Sequence, residues 1–569
     1  MCIICRINEF QYLKGLFDLG EHDVFASDLR RIIRFTALGN IEFRCSMMLS
    51  NMSLKQFTHS MHVDHEKLDG SDIYDKQYYP WTELPEHVLQ YSAYDVIGLV
   101  EAVKAKMRLD GDTLCTIPLT STGYPRRDMR RAMQYYPHTK LKEMLPDLTV
   151  YDMLCDAFRG GDTHANRYYA GSIVENVSSA DRSSSYPDVM CNCMFPMAPW
   201  KQLEADRHTL LKEMNDGKNA LLIHIRMTDV RLKDKFNGDP YIPRDKCKSI
   251  WHARYDNGRV LEAEELEIVV TDIDFYIINH DYQWSDLEVI RLYGSEYDFL
   301  PACFVKVITN YYEQKTKLKG DPDKDLEYNK SKALLNGLYG MLAMKPLRKT
   351  LIYRDGAMHE DDSQSREELL EQAYRKAYSS YAWGVWVTAW ARYRLWEGIQ
   401  IVGHDRFIYC DTDSVKYISD ASVSWHAFNT ERKSNSIYSG SLAKDASGQI
   451  HYMGVYEPDG LYKRFSTLGA KRYAYEDLDG VLHITIAGVA KKAGAVELEK
   501  LENFRDGFVF MNSGKTASSY VDKPPMDKLV YYEDGIKREI EITPFILISE
   551  TSYYMSMTDE YKELIGLLE

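Results

Sequence analysis

Apolar runs of strand length and longer helix-forming segments follow one another along the chain without regular alternation. Residues 407–409 read as a short buried strand and residues 415–417 as the strand that returns beside it, with a tight turn between them. Residues 369–393 hold few breakers and many helix formers, which predicts a long helix broken near Gly384. Helices and strands in irregular order predict an α+β fold around an antiparallel sheet.

The turn of this hairpin carries two carboxylates, Asp411 and Asp413, separated by a single residue. Two acids so close together repel each other, and a divalent cation offsets that repulsion directly. Oxygen ligands favour magnesium or manganese. An Asp-rich turn that caps its own backbone would have a similar sequence. This segment alone leaves both interpretations open.

A third acid, Asp181, stands five residues before the pair Tyr186-Pro187. If Asp181 ends a strand beside the hairpin, three carboxylates meet at one point. Two-metal phosphoryl transfer requires such a cluster, which holds ions about 4 Å apart around the reacting phosphate. Tyr186 would then lie under the sugar, where its ring would collide with a ribose 2′-hydroxyl. The alternative for Tyr186 is a core aromatic next to a turn.

Two basic segments complete the set of candidate residues. Lys332, Asn336 and Tyr339 recur at helical spacing and share one face, which suits a triphosphate and its base. An ordinary exposed helix would look the same. Lys471 and Tyr473 place a cation beside an aromatic ring, as a clamp on a primer strand or as a solvated surface strand.

In order, these segments resemble motifs A, B, C and KxY of family B DNA polymerases, and more narrowly those of the protein-primed branch found in phages such as phi29. Residues 158–161 resemble its YxGG element, with Phe158 where Tyr is usual. Residues 271–274 resemble its TxxD element, and residues 387–393 its helix before motif C. Gly337 stands where Ser is usual. The resemblance covers about residues 53–510.

The resemblance implies an α+β, right-hand polymerase fold with palm, fingers and thumb, an antiparallel palm sheet, two insertions of the protein-primed branch and a truncated RNase H-like exonuclease domain. By position, the domains are a partial 3′–5′ exonuclease-like domain (1–115), a linker and first part of the palm (116–194), an insertion contacting the priming protein or DNA (195–300), the fingers (301–344), a second insertion for processivity and strand displacement (345–385), the palm (386–485), and the thumb with a C-terminal extension (486–569).

The resemblance also implies roles for individual residues. Asp181 and Asp413 would be the main ligands of two Mg²⁺ ions, which Mn²⁺ can replace, with Asp411 in support. The dNTP-binding residues would be Tyr186, Lys315, Lys332, Asn336 and Tyr339. The residues that bind DNA or primer would be Phe158, Gly160, Gly161, Thr271, Asp274, Lys471 and Tyr473. The implied partners are primer–template DNA, dNTPs and a terminal protein that primes replication of a linear phage or mobile-element genome.

The N-terminal region matches only part of an exonuclease. Tyr91 and Asp95 fit the YxxxD of the domain's last motif, whereas the only earlier DxE begins at Asp64, without an apolar strand ahead of it. Because one carboxylate cannot hold two metals, we expect proofreading to be absent or incomplete.

Composition limits these interpretations only loosely. A formal net charge of −15 argues against a protein whose whole surface carries phosphate-binding Lys and Arg side chains. A channel can nevertheless be basic while the outer surface is acidic. Ten cysteines without regular spacing fit a reducing cytoplasm, that of the host if a phage encodes the chain. No apolar run is long enough for a membrane span. We also expect the protein to be a monomer.

Other classes of protein remain open from the sequence. One is a catalytically inactive, polymerase-derived protein that binds DNA or a terminal protein. A second is a polymerase of the same fold primed by nucleic acid, and a third is a reverse transcriptase or RNA polymerase.

Overall fold

The computed structural model describes residues 2–4, 10, 14–29, 31–70, 73, 82–233, 239–321 and 324–511, and, further on, residues 516–521, 528–533, 536–541, 545–550, 552–557, 562 and 566. No helix among these residues has both the length and the apolar character that crossing a bilayer requires.

Helices and strands alternate irregularly along the chain. The helices are α1 (Ser46–Ser50), α2 (Leu54–Ser60), α3 (Glu86–Asp110), α4 (Gly123–Met133), α5 (His138–Glu143), α6 (Leu148–Ala157), α7 (Ser185–Asn192), α8 (Arg207–Asp216), α9 (Asp272–Asp281), α10 (Ala302–Lys317), α11 (Asp325–Leu342), α12 (Arg366–Arg375), α13 (Tyr381–Val402), α14 (His426–Ser439) and α15 (Lys491–Leu498). The strands are β1 (Cys2–Ile4), β2 (Val24–Asp28), β3 (Arg31–Ala37), β4 (Ile41–Cys45), β5 (Thr163–Ala165), β6 (Ile173–Arg182), β7 (Met194–Pro196), β8 (Lys201–Gln202), β9 (Asn219–Leu232), β10 (Cys247–Trp251), β11 (Arg254–Asp256), β12 (Arg259–Thr271), β13 (Tyr282–Gln283), β14 (Asp286–Phe299), β15 (Thr350–Arg354), β16 (Ala357–Asp361), β17 (Phe407–Asp411), β18 (Ser414–Ile418), β19 (Leu442–Lys444), β20 (Ile450–Tyr452), β21 (Tyr456–Gly469), β22 (Arg472–Asp477), β23 (Leu482–Ile486), β24 (Val509–Phe510), β25 (Thr516–Val521), β26 (Lys528–Glu533), β27 (Ile536–Glu541), β28 (Phe545–Glu550) and β29 (Tyr553–Tyr554).

The first of two compact units comprises Met1–Thr149, Leu300–Gly384 and Ser441–His451. Its N-terminal sheet has the order β1-β4-β3-β2, with β1 parallel to β4. Phe35 and Phe43 stack with ring centroids 4.4 Å apart because they lie opposite each other on β3 and β4. Beyond this sheet, α10 and α11 pack against each other and against α4.

The second unit comprises Val150–Phe299, Val385–Gly440 and Tyr452–Glu569. Its central sheet has the order β23-β22-β21-β6-β18-β17-β5, and each pair of neighbouring strands is antiparallel. Leu395, Ile399 and Val402 recur at helical spacing on α13 and pack on apolar residues of β17 and β18. The apolar face of this helix therefore supports the two strands.

A second sheet of this unit has the main path β10-β12-β9-β14-β7. Leu221, Ile223, Ile225 and Met227 alternate along β9 and are all buried in one core, to which α9 contributes. The α+β architecture with antiparallel sheets that the sequence predicts is confirmed. The domain boundaries stay predictions.

The long helix predicted over residues 369–393 is instead two helices, α12 and α13, separated by residues 376–380. Gly384 lies inside α13 and does not break it. A side chain at this position would collide with the backbone carbonyl of Leu342. Gly384 therefore permits a close helix–backbone approach, and the prediction of a break there is wrong.

Candidate active site

Asp181, Asp411 and Asp413 lie at one edge of the central sheet. Asp181 is the penultimate residue of β6, and β17 and β18 form the hairpin whose turn carries the other two acids. Ser414 lies opposite Asp181 on one side and opposite Asp411 on the other. Neighbouring strands are about 4.8 Å apart, so the three backbone positions are close. Asp181 thus ends a strand beside the hairpin, as the sequence suggested.

The acidic turn, Asp411–Asp413, is held by backbone hydrogen bonds. The N–H of Thr412 donates to the carbonyl of Asp162 at 2.6 Å, and that of Arg182 donates to the carbonyl of Asp413 at 2.9 Å. Thr412 has a φ of 63°, which β-branched residues rarely adopt. The turn is therefore fixed both to the end of β6 and to the segment before β5.

Asp181 and Asp413 form an electrostatically unfavourable pair. Burial, followed by the charges of Asp413 and Asp459, raises the pKa of Asp181 to about 7. Burial also raises the pKa of Asp413 to about 6, with Asp411 adding to the shift and Arg182 opposing it. Burial is the largest cause of both shifts and the neighbouring acids add to it, so the protein disfavours the charged forms of Asp181 and Asp413. A divalent cation would supply positive charge that favours them.

Asp411 already has a cationic partner. The ammonium group of Lys471, just before β22, lies 2.5 Å from both carboxylate oxygens, and the hydroxyls of Thr163 and Thr412 each donate to Oδ1 at 3.1 Å. Within the described parts of the chain, no three His, Cys, Asp or Glu side chains form a ready-made metal cage. Asp181 and Asp413 offer the carboxylate oxygens that divalent ions prefer, whereas Asp411 must first exchange Lys471 for a metal.

Lys416 is a buried cation at this edge that the sequence analysis did not identify. Its side chain is on β18, is 4% exposed, and donates to the Ser414 hydroxyl at 3.0 Å. Burial lowers the pKa of Lys416, and Asp459, Asp411 and Asp181 oppose that shift. Strand alternation places it on the face of Ser414, but lysines are rarely buried, so the sequence carried no signal for its position.

Tyr186 lies at the start of α7, directly after the end of β6. It is half-buried, and burial followed by the charge of Asp413 raises the pKa of its phenol. Tyr473 packs against Tyr409 and Phe465, with ring centroids 5.0 and 5.5 Å away. Tyr186 is thus near the acids, while Tyr473 is also part of the aromatic packing behind them.

The remaining nucleotide-binding candidates belong to the first unit. Lys315 lies on α10 with its ammonium group 5.0 Å from the centre of the Tyr312 ring. Lys332 and Asn336 are exposed on α11, where Tyr339 is half-buried. The helix continues through Gly337 to Leu342, so the three residues share one helical face. Their contact with a nucleotide stays a prediction.

Two of the proposed DNA contacts face the protein interior. Thr271 caps the N-terminus of α9 and donates its hydroxyl to Asp274 at 2.9 Å, and both residues are buried. Asp274 binds Arg392 through both carboxylate oxygens. Gly160 and Gly161 are exposed, and Phe158 is half-buried. Any effect of Thr271 or Asp274 on a primer must therefore be indirect in this structure.

Asp95, the acid of the exonuclease-like segment, forms an ion pair with a lysine. The ammonium group of Lys67 lies 2.7 Å from both oxygens of Asp95 and donates to the Tyr91 hydroxyl at 2.5 Å. Burial alone would lower the pKa of Lys67, but these hydrogen bonds outweigh it and raise the pKa. This carboxylate is neutralised by the protein itself.

Divalent-ion binding at Asp181 and Asp413 should be strongly pH-dependent. Their pKa values of about 7 and about 6 mean that the metal-free protein keeps protons that a metal must displace. The stability these protonated acids contribute is present below about pH 4 and is lost as pH rises through 6 to 7. We expect Mg²⁺ affinity to rise across the same interval. Calorimetry in buffers of different ionisation enthalpy should detect proton release at pH 6.5, and an unchanged affinity between pH 5.5 and 8 would contradict this expectation.

Comparison with known sequences identifies relatives of this chain. Residues 46–418 match the family described as DNA polymerase type B, organellar and viral. The DNA polymerase of Bacillus phage PZA is 26% identical over 393 residues, which cover 65% of this chain and 60% of the relative. That of Bacillus phage B103 is 27% identical over 262 residues, which cover 46% of this chain and 41% of the relative. The chain thus spans less than two thirds of these relatives' length.

Solved structures agree on the fold. Phi29 DNA polymerase in complex with primer–template DNA and incoming nucleotide has a TM-score of 0.67 at 16% identity, covering 97% of this chain and 90% of the other. Its binary complex with primer–template DNA has the same TM-score at 17% identity. The fold is that of phi29 DNA polymerase. With a family match over residues 46–418, the chain belongs to the organellar and viral type B DNA polymerases.

Proposed function

We propose that this protein is a template-directed DNA polymerase that adds deoxynucleotides to a primer 3′-hydroxyl. The observation that carries the proposal is the pair Asp181 and Asp413, brought together by β6 and the acidic turn in surroundings that disfavour their charged forms. Phosphoryl transfer needs little from a protein beyond positioning and charge stabilisation, so such an acidic edge suits it.

Two Mg²⁺ ions, for which Mn²⁺ can substitute, would activate the primer hydroxyl and stabilise the leaving pyrophosphate. Asp181 and Asp413 would hold them, and Asp411 would join once Lys471 leaves its carboxylate. Lys471 would then be available to a phosphate of the primer strand. The resemblance of the motifs supports Lys315, Lys332, Asn336 and Tyr339 as the residues that bind the triphosphate and base.

Primer extension on a single-stranded DNA circle tests this function. We expect Mg²⁺-dependent synthesis by the wild-type protein and none by Asp181→Ala. Glu175→Gln is the matched control, because Glu175 is an exposed acid on the same strand. DNA binding without synthesis by the wild type would favour an inactive, polymerase-derived binding protein. Efficient copying of an RNA template would favour a reverse transcriptase.

We further propose that a protein supplies the primer. The support is the likeness of motifs to the protein-primed branch and the separate sheet built by β7–β14, within the range assigned to the first insertion. Transfer of one labelled deoxynucleotide to a hydroxyl of a protein from the same genome tests this proposal. Extension of nucleic acid primers, with no such transfer, would leave a polymerase primed by nucleic acid.

Replacing Tyr186 should weaken discrimination against ribonucleotides. Tyr186→Val removes the ring that would collide with a 2′-hydroxyl but keeps an apolar side chain in the first turn of α7. A contact that separates two substrates by about 1–3 kcal/mol changes selectivity roughly 10- to 200-fold, so we expect a rise of that order in the ratio of ribonucleotide to deoxynucleotide incorporation. Single-nucleotide insertion kinetics measure this ratio. An unchanged ratio would exclude Tyr186 from the sugar pocket.

The purified chain should not degrade a 3′-labelled single strand. Asp95 is paired with Lys67, so this acid is not available to hold a catalytic metal unless the pair breaks. We therefore expect Asp95→Ala to leave any residual 3′–5′ degradation unchanged. Degradation by the wild type that Asp95→Ala abolishes would refute the expectation.

A further inference from the structure

The acidic turn has a strained residue between its two acids. A β-branched residue with a φ of 63°, such as Thr412, persists only where its surroundings hold it. Residues 159–162, here called the glycine loop, constrain Thr412 in this conformation. The Asp162 carbonyl accepts the N–H of Thr412, and Gly161 lies directly against the Thr412 side chain.

The two exposed glycines of this loop differ sharply in their surroundings. A Cβ on Gly161 would lie 2.8 Å from both Cγ2 and Oγ1 of Thr412, closer than side-chain carbons approach such atoms. A Cβ on Gly160 would meet nothing within 4 Å. Gly161 is therefore required by its contact with the acidic turn, whereas Gly160 has free space at its Cα.

A buried ion pair holds the glycine loop in place. Nη1 of Arg392 donates to the carbonyls of Arg159 and Gly160 at 2.8 and 2.9 Å. Nη2 of the same side chain donates to both oxygens of Asp274 at 2.7 and 2.8 Å. Arg392 and Asp274 are each 1% exposed, and the Tyr241 hydroxyl also donates to Asp274. The guanidinium group thus fixes the loop's carbonyls to the core.

These contacts form one continuous path from Asp274 through Arg392 and the glycine loop to Thr412. We propose that Gly161, Arg392 and Asp274 are positioning residues, which set the geometry of the acidic turn and thereby its affinity for divalent cations. The inference rests on the proposed metal-dependent polymerase function. Residues that orient metal ligands typically change metal affinity 10- to 100-fold when they are replaced. In this role the glycine loop acts through the acidic turn and needs no contact with DNA.

The test measures the Mg²⁺ requirement of primer extension, together with Mn²⁺ binding to the protein without substrates. We expect Gly161→Ala to raise the half-saturating Mg²⁺ concentration by about tenfold or more. Mn²⁺ binding to the substrate-free Gly161→Ala variant should weaken to a similar degree. In Gly161→Ala/Thr412→Gly, the colliding side chain is gone, so its Mg²⁺ requirement should return to that of Thr412→Gly alone.

Gly160→Ala is the matched variant, and it should leave the Mg²⁺ requirement unchanged whatever it does to DNA affinity. A loss of DNA affinity in Gly161→Ala with an unchanged Mg²⁺ requirement would overturn the proposal, as would failure of Thr412→Gly to rescue. If Gly161→Ala alone does not fold, the comparison of the double variant with Thr412→Gly decides, and a double variant that also fails to fold counts against the proposal. A wild-type protein that binds Mn²⁺ without synthesis would refute the polymerase function but leave the binding comparison valid.

Discussion

Asp413→Asn should lower the rate of primer extension by about 1,000-fold, equivalent to about 4 kcal/mol of transition-state stabilisation. The substitution keeps the size of the side chain but removes a charge that a divalent ion needs. Steady-state extension assays with saturating Mg²⁺ and dNTPs measure the loss. Binding of primer–template DNA, measured without metal, should remain close to wild type.

The same substitution should not weaken the fold. Because burial and Asp411 disfavour the charged form of Asp413, the metal-free variant should be at least as stable as wild type at pH 8. Loss of activity together with a lower unfolding midpoint would mean that Asp413 acts through the fold. Retention of more than about a tenth of the wild-type rate would exclude it as a main metal ligand.

Asp274→Asn should have the opposite effect on stability. Arg392 is buried, and its paired carboxylate keeps it charged, because Asp274 and Tyr241 outweigh burial and raise its pKa. Removing one partner of a buried ion pair leaves an uncompensated charge, which typically costs about 3–5 kcal/mol. Urea unfolding followed by tryptophan fluorescence should show a loss of that order for the second unit.

Glu296→Gln is the control for this loss, since Glu296 pairs with Lys201 at 3.6 Å where both side chains are more than two-thirds exposed. Exposed ion pairs contribute less than about 1 kcal/mol. Equal small changes in the two variants would show that the Arg392–Asp274 pair does not stabilise the unit.

The hairpin and its acids were predictable from the sequence because local patterns specify them. Two short apolar strands flank a turn that contains both acids. The acids therefore lie at the tip of the hairpin. The face shared by Lys332, Asn336 and Tyr339 was predictable for the same reason, since helical spacing determines it. A strand ending at Asp181 beside the hairpin was only a condition of the proposed chemistry, and the register of Asp181 with Ser414 meets that condition.

Features that depend on tertiary contacts could not be predicted in this way. Lys416 is buried although lysine is normally exposed, and Asp274 faces the interior because an arginine from a distant helix meets it there. Glycine often breaks helices, yet Gly384 lies inside a helix, where it allows the Leu342 backbone to approach closely. The partners of Asp274 and Gly384 are far away in sequence, and the burial of Lys416 depends on the folded sheet, so no local pattern indicates any of the three.

In the proposed function, the end of β6 and the acidic turn together hold a pair of divalent cations around a nucleotide's phosphates. A crystal structure with Mn²⁺, a non-extendable primer–template and the complementary dNTP tests it by anomalous scattering. We expect two Mn²⁺ peaks about 4 Å apart, both within bonding distance of Asp181 and Asp413 carboxylates. Mn²⁺ bound elsewhere, with these two carboxylates free of metal while the nucleotide is in place, would contradict it.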